Sequence, residues 1–131
     1  MPHLSIEYSR NLEARLDMPG LLRALRDAAV ATGVFPPAGV RVRAFAADHV
    51  LIADGDPRHA FIDISVRLRG GRSAADKARA TEAIFAAAEA FCAEDLARNS
   101  LMLSLEMRDI DPDLSPKTSS IRRFLPKDMQ A

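Results

Sequence analysis

Apolar and polar residues alternate along this chain in four stretches and fall at helical spacing in two. Residues 3–8 set Leu4, Ile6 and Tyr8 against His3, Ser5 and Glu7, which is the pattern of a half-buried strand. Asp17-Met18-Pro19-Gly20 then opens a helix, with Asp17 placed to cap it and Pro19 in the first turn. Leu21, Leu22, Leu25, Ala28 and Ala29 make its apolar stripe, and Thr32-Gly33 ends it because glycine supplies the left-handed backbone of a helix C-terminus. Residues 39–46 set Val40, Val42 and Ala44 against Arg41, Arg43 and Phe45, a second strand with two arginines on one face.

The plan then repeats. Val50, Leu51 and Ile52 are expected to add a small strand before the turn cluster Asp54-Gly55-Asp56-Pro57. The strongest alternation runs over 59–69, with Ala60, Ile62, Ile64, Val66 and Leu68 opposite Phe61, Asp63, Ser65, Arg67 and Arg69. Gly70-Gly71-Arg72 turns the chain, and Ser73-Ala74-Ala75-Asp76 has the form of a capping box for a long helix. Its expected stripe is Ala78, Thr81, Phe85, Ala88, Cys92 and Leu96. A last strand spans 101–110, followed by a polar tail with prolines at 112, 116 and 126, within which Ile121 to Leu125 reads as a single helical turn or an edge strand.

Two strand-helix-strand units therefore follow one another, about 2–46 and about 59–110, with a tail over 111–131. Connections of that length permit parallel, right-handed crossovers. The fold class is α/β (α+β): one domain over 1–131, with a mostly parallel four-stranded sheet and two helices on one face. Because the strands alternate rather than run continuously apolar, the second sheet face is mixed and calls for covering, and self-association covers it most simply.

Composition narrows the function more than the fold. At 131 residues and 48% apolar content the chain fits one core. Eighteen basic residues balance eighteen acidic ones, which argues against partners selected by bulk charge, nucleic acid or an anionic membrane among them. Any anion site must be local. No stretch is long and apolar enough for a membrane span and no export signal is evident, so a cytoplasmic protein is expected. The single Cys92 has neither a disulfide partner nor a ligand-spaced companion and reads as a small core residue.

Four residues carry the candidate chemistry. Pro2 stands where it cannot donate to a strand ladder. Such a residue is either a tolerated strand start or, once Met1 is removed, a secondary amine able to act as a base. Arg72, beside the start of the second helix, is either a solvated charge or a carboxylate clamp, and on local pattern the solvated charge is the commoner case. Arg41 and Arg43 pose the same choice. His3, His49 and His59 lack the spacing of metal ligands, and surface or capping roles are commoner for such histidines than catalysis.

Pro2 at the head of a strand, GVRVR in the second strand and GRS before the second helix together resemble the tautomerase superfamily. The longer strings MPHLSIEYSRNL, DMPGLL, TGVFPPAGVRVR and GGRS, with the ADG turn, are similar to the branch that isomerises 5-carboxymethyl-2-hydroxymuconate, from residue 1 to about 125. That resemblance implies a homotrimer without cofactor or metal, acting on a small carboxylic acid in aromatic-compound (homoprotocatechuate) catabolism. Pro2 would be the general base, Arg41 and Arg72 catalytic, and Arg41, Arg43 and Arg72 substrate-binding. Position 59 opens the second repeat as His rather than Pro, so one active site per chain is expected. Two other readings share the fold: a trimeric binding or signalling protein with vestigial activity, or a relative with dehalogenase, hydratase or decarboxylase activity. His49, Asp54, Phe61 and Arg67 are unranked candidates for the pocket wall.

Overall fold

The computed structural model describes residues 2–130. Each alternating stretch becomes a strand: β1 (His3–Ser9), β2 (Arg41–Ala47), β3 (Ala60–Arg69) and β4 (Leu101–Ile110). Helix α1 (Met18–Ala31) joins β1 to β2, while α2 (Ala74–Phe91) and the short α3 (Ala93–Arg98) join β3 to β4. The sheet order is β2-β1-β3-β4, parallel within each repeat and antiparallel where β1 meets β3. Two of the three strand pairs are thus parallel, and the two repeats meet at the centre in opposite directions.

Alternation decides which face is covered. Leu4, Ile6, Ile62, Ile64, Val66 and Leu68 are fully buried and pack with Leu21, Leu25 and Ala29 of α1 and Ala80, Ile84 and Ala88 of α2. Each large apolar side chain so buried stabilises the fold by roughly 1.5–3 kcal/mol relative to exposure. The helices begin as their caps dictate: Asp17 accepts from the Gly20 amide at 3.2 Å, and Ser73 Oγ from the Asp76 amide at 3.1 Å. Gly33, at φ +72°, ends the first crossover helix in the left-handed conformation.

Three expectations are corrected. Residues 50–52 are not a strand; Leu51 is 87% exposed, and Gly55 bonds back to Ile52 through a turn in which Ala53 and Gly55 both have positive φ. The stripe of α2 is set differently: Ala80 and Ile84 occupy the core with Ala88 and Cys92, while Ala78 and Leu96 are exposed and Phe85 is half-buried. In a helix this rich in alanine, bulky Phe85 is a poor guide to phase. Nor is the helix continuous to 96, since Cys92 leaves helical geometry at φ −94°, ψ 6° and α3 starts after it. Of the two expectations for Ile121 to Leu125, the turn is the one adopted, as a 3-10 segment over Ile121–Phe124.

Candidate active site

Register builds the site. Because β1 runs with β2 and against β3, its first residues lie beside the start of β2 and the end of β3: His3 pairs with both Arg41 and Arg67, and Arg67 with Arg108 of β4. Directly paired residues share a sheet face, so one imidazole and three guanidiniums form a row across the uncovered face. Arg43 and Ser5 stand in the next row. Arg108 is engaged with Glu106 at 3.3 Å and Ser65 at 3.2 Å, whereas the Arg67 side chain has no ion pair or hydrogen bond among the described residues.

A cavity of about 320 Å³ opens at this corner. His3, Arg41, Arg67 and Arg69 line its sheet side, and Ser115, Pro116 and Lys117 of the tail close the other. His3 Nε2 lies 2.9 Å from Arg41 Nη2, and Nδ1 lies 3.2 Å from Arg43 Nη1. A neutral imidazole has one acceptor nitrogen. Only one guanidinium can therefore donate to it, and the other contact sets donor against donor. Burial and then the charges of Arg41, Arg67 and Arg43 push the His3 pKa down to about 4, so the ring is neutral near pH 7. Arg41 Nε is buried without a partner. Donor capacity exceeds acceptor capacity here, as an anion site requires.

Three of the four candidate residues come together. Pro2 is buried, and its carbonyl accepts from the Arg41 amide at 3.2 Å, extending the β1/β2 ladder to the residue before His3. Arg41 lines the cavity and Arg43 reaches it through His3. Arg72 does not. It donates from Nε to the Val34 carbonyl and from Nη1 to the Arg69 carbonyl, each at 3.1 Å, with its guanidinium 5.8 Å from the Phe35 ring centroid. Its shown work is to tie the turn after β3 to the loop before β2. The expected loss of Met1 falls outside the described residues.

His3, for which a surface or capping role was the commoner expectation, lines the cavity with Arg69 and Lys117, which the sequence did not single out, and Arg67 is the one unranked candidate that reaches it. The usable signal was Arg67 and Arg69 alternating on a polar strand face, as Arg41 and Arg43 do. Asp54 and Phe61 belong to the other end of the sheet, and His49 to the loop beyond β2. That other end has a larger cavity, about 450 Å³, lined by His59 and Ser100, and His59 bridges Asp54 at 2.7 Å and Ser100 at 2.6 Å. Its arginines are already matched with carboxylates: Arg15 with Asp95, Arg58 with Asp56 and Arg98 with Glu94. The smaller cavity, with unmatched cations beside Pro2, is the better site for a carboxylate. Among the described residues no His, Cys, Asp or Glu cluster could hold a metal, and no helix is long and apolar enough to cross a membrane.

Known proteins resemble this chain over nearly its whole length. Residues 2–125 match the family described as 5-carboxymethyl-2-hydroxymuconate isomerase. The 5-carboxymethyl-2-hydroxymuconate Delta-isomerase of Escherichia coli is 31% identical over 121 residues, 92% of this chain and 96% of that protein. A crystal structure of a 5-carboxymethyl-2-hydroxymuconate delta-isomerase superposes with a TM-score of 0.88 at 33% identity, covering 97% of this chain and 94% of the other. The isomerase from Deinococcus radiodurans R1 gives 0.86 at 31% identity, with 95% of each chain covered. A fused 4-OT described as a symmetric trimer is similar at 27% identity, with a TM-score of 0.57 over 83% of this chain and 85% of that one.

Proposed function

The chain belongs to the 5-carboxymethyl-2-hydroxymuconate isomerase family, within the tautomerase superfamily, and from that premise we propose that it converts 5-carboxymethyl-2-hydroxymuconate to the conjugated 2-oxo isomer at the Pro2 corner of the sheet. One observation supports the placement: the cavity of unmatched donors is lined by His3, which follows Pro2, and by Arg41, whose amide donates to the Pro2 carbonyl.

The chemistry follows from the surroundings of the Pro2 nitrogen. A free α-amine titrates at about 7.7–8.0 in a model peptide. Burial and neighbouring guanidinium charge both disfavour its protonated form, so a Pro2 amine at this corner is available as a base near neutrality. The amine takes the proton of the 2-hydroxyl, and the electron pair of the O–H bond becomes the carbonyl π bond. The diene electrons shift along the chain, and the far carbon receives the proton from the prolinium, restoring the neutral amine. No proton is gained or lost overall. Arg41 and Arg43 hold the carboxylate beside the reacting hydroxyl and stabilise the dienolate oxygen as charge develops. Arg72 is a positioning residue that fixes the end of β3 through the Arg69 carbonyl.

The protein works as a homotrimer in this reading. Support comes from the sheet, whose second face is uncovered with Phe45 56% and Met102 66% exposed, and whose outer strands β2 and β4 each have a free edge.

Intact mass establishes whether Met1 is lost. Ketonisation of the dienol, followed by absorbance, is then compared for wild type and Pro2→Ala. Wild type is expected to be faster by about a hundredfold or more, the scale of positioned general base catalysis; equal rates would remove Pro2 from the mechanism. Arg41→Ala is expected to raise KM or lower kcat by about tenfold or more through loss of a charged hydrogen bond.

A further inference from the structure

The Pro2 corner holds more positive charge than the reacting end of a substrate needs. Arg41, Arg67, Arg69 and Lys117 line one cavity of about 320 Å³, with no Asp or Glu in its wall. The protein as a whole is neutral, eighteen cations against eighteen anions, and its surface arginines are commonly paired, as Arg10 is with Asp48, Arg26 with Asp27 and Arg79 with Asp76. The side chains of Arg67, Arg69 and Lys117 have no ion pair among the described residues, so what distinguishes this corner is placement rather than composition.

The cations also fall into two groups. Arg41 and Arg43 both reach His3 from β2, whereas Arg67 and Arg69 stand on β3 and Lys117 lines the cavity from the tail. Strand β1 separates the groups. Arg41 and Arg67 are consequently two strand spacings apart, roughly 10 Å at the backbone. The Arg41–Arg43 pair and the Arg67–Arg69 pair can each take a different carboxylate of a short polycarboxylate.

The β3 side is rigidly built. Arg72 donates to the Arg69 carbonyl, and the Gly70 amide bonds to the Ile110 carbonyl at 3.0 Å. The tail side is anchored where Ser115 Oγ donates to the Asp111 carbonyl at 2.6 Å, two residues before Lys117. We propose that Arg67 and Lys117, with Arg69 behind them, form a distinct subsite for the third carboxylate of a tricarboxylate dienol, the one carried on the carboxymethyl branch. This subsite makes the enzyme select the branched acid over its unbranched dicarboxylate counterpart. The proposal rests on the isomerase reading for its substrate, and its test separates the two.

Steady-state kinetics are measured on 5-carboxymethyl-2-hydroxymuconate and on 2-hydroxymuconate, which lacks the branch, for wild type, Arg67→Ala, Arg67→Lys and Lys117→Ala. The alanine variants are expected to raise KM for the branched acid about tenfold more than they raise KM for the unbranched acid. Arg67→Lys, which keeps the charge, should recover part of the loss. Equal weakening toward both acids, or toward neither, overturns the subsite. Calorimetry with propane-1,2,3-tricarboxylate and with glutarate gives a readout independent of turnover. Tighter binding of the tricarboxylate that disappears in Arg67→Ala and Lys117→Ala supports the subsite even if wild type isomerises neither dienol. Unchanged tricarboxylate binding in both variants overturns it even if wild type isomerises both.

Discussion

His3 shows how a residue's neighbours replace its ordinary chemistry. Alone it titrates near pH 6.5. Held on β1 between Arg41 and Arg43 of β2 and Arg67 of β3, with part of its surface buried, it does so at about 4. The unfolded chain therefore takes up this proton first as pH falls. Between about 6.5 and about 4 the unfolded state binds more protons than the folded one, and stability declines through that window with falling pH. Replacing His3 with Gln removes this contribution. Urea midpoints at pH 7 and pH 4.5 should fall further in wild type than in His3→Gln; an equal drop in both would show that His3 does not carry the dependence. Cys92 is the opposite case, where burial pushes the thiol up to about 11 and the residue serves the core, as its isolation in the sequence suggested. The loss of Pro2's backbone donor was visible in sequence. The arginines that would tune its amine were visible as alternating charges and, for Arg41 and Arg43, through the GVRVR motif.

Among the elements, the second crossover is where periodicity misleads and a polar network compensates. Alanine at half the positions of α2 leaves the apolar stripe weakly marked, and the helix breaks at Cys92 before α3 begins. The short helix is then held by charge. Asp95, with its side chain only 4% exposed, accepts from Arg15 Nη2 at 2.6 Å and Nε at 3.0 Å, and from Asn99 Nδ2 at 2.8 Å. Arg15 also reaches the Ser100 carbonyl, so one guanidinium after β1 fixes α3 and the start of β4. Arg15→Ala leaves that buried carboxylate unpaired and should cost about 3 kcal/mol in chemical denaturation. A cost below about 1 kcal/mol would place the pair among ordinary surface bridges. Sequence reading could not find this contact, because the partners lie 80 residues apart with no periodic relation. The caps at Asp17 and Ser73 were legible because a cap needs only residues three apart.

In the whole molecule, the helices cover one sheet face and leave Phe45 and Met102 on the other. If that face is the trimer contact, Phe45→Glu should shift the sedimenting species toward monomer, since burying a carboxylate in an apolar contact is costly. A trimer as stable as wild type would move the contact to the sheet edges instead. Sequence by itself determined the strands, helix starts and inner face, because alternation, caps and glycine positions act over a few residues and are written locally. It also marked Pro2, Arg41, Arg43 and Arg72 as a group through motif resemblance. Only the tertiary structure decided that β1 meets β3 antiparallel. That one pairing brings Arg67 to His3, draws Arg69 and the tail's Lys117 to the same cavity, and leaves Arg72 on backbone carbonyls. Strand direction is set by how two distant helices share a core, and no local spacing records it.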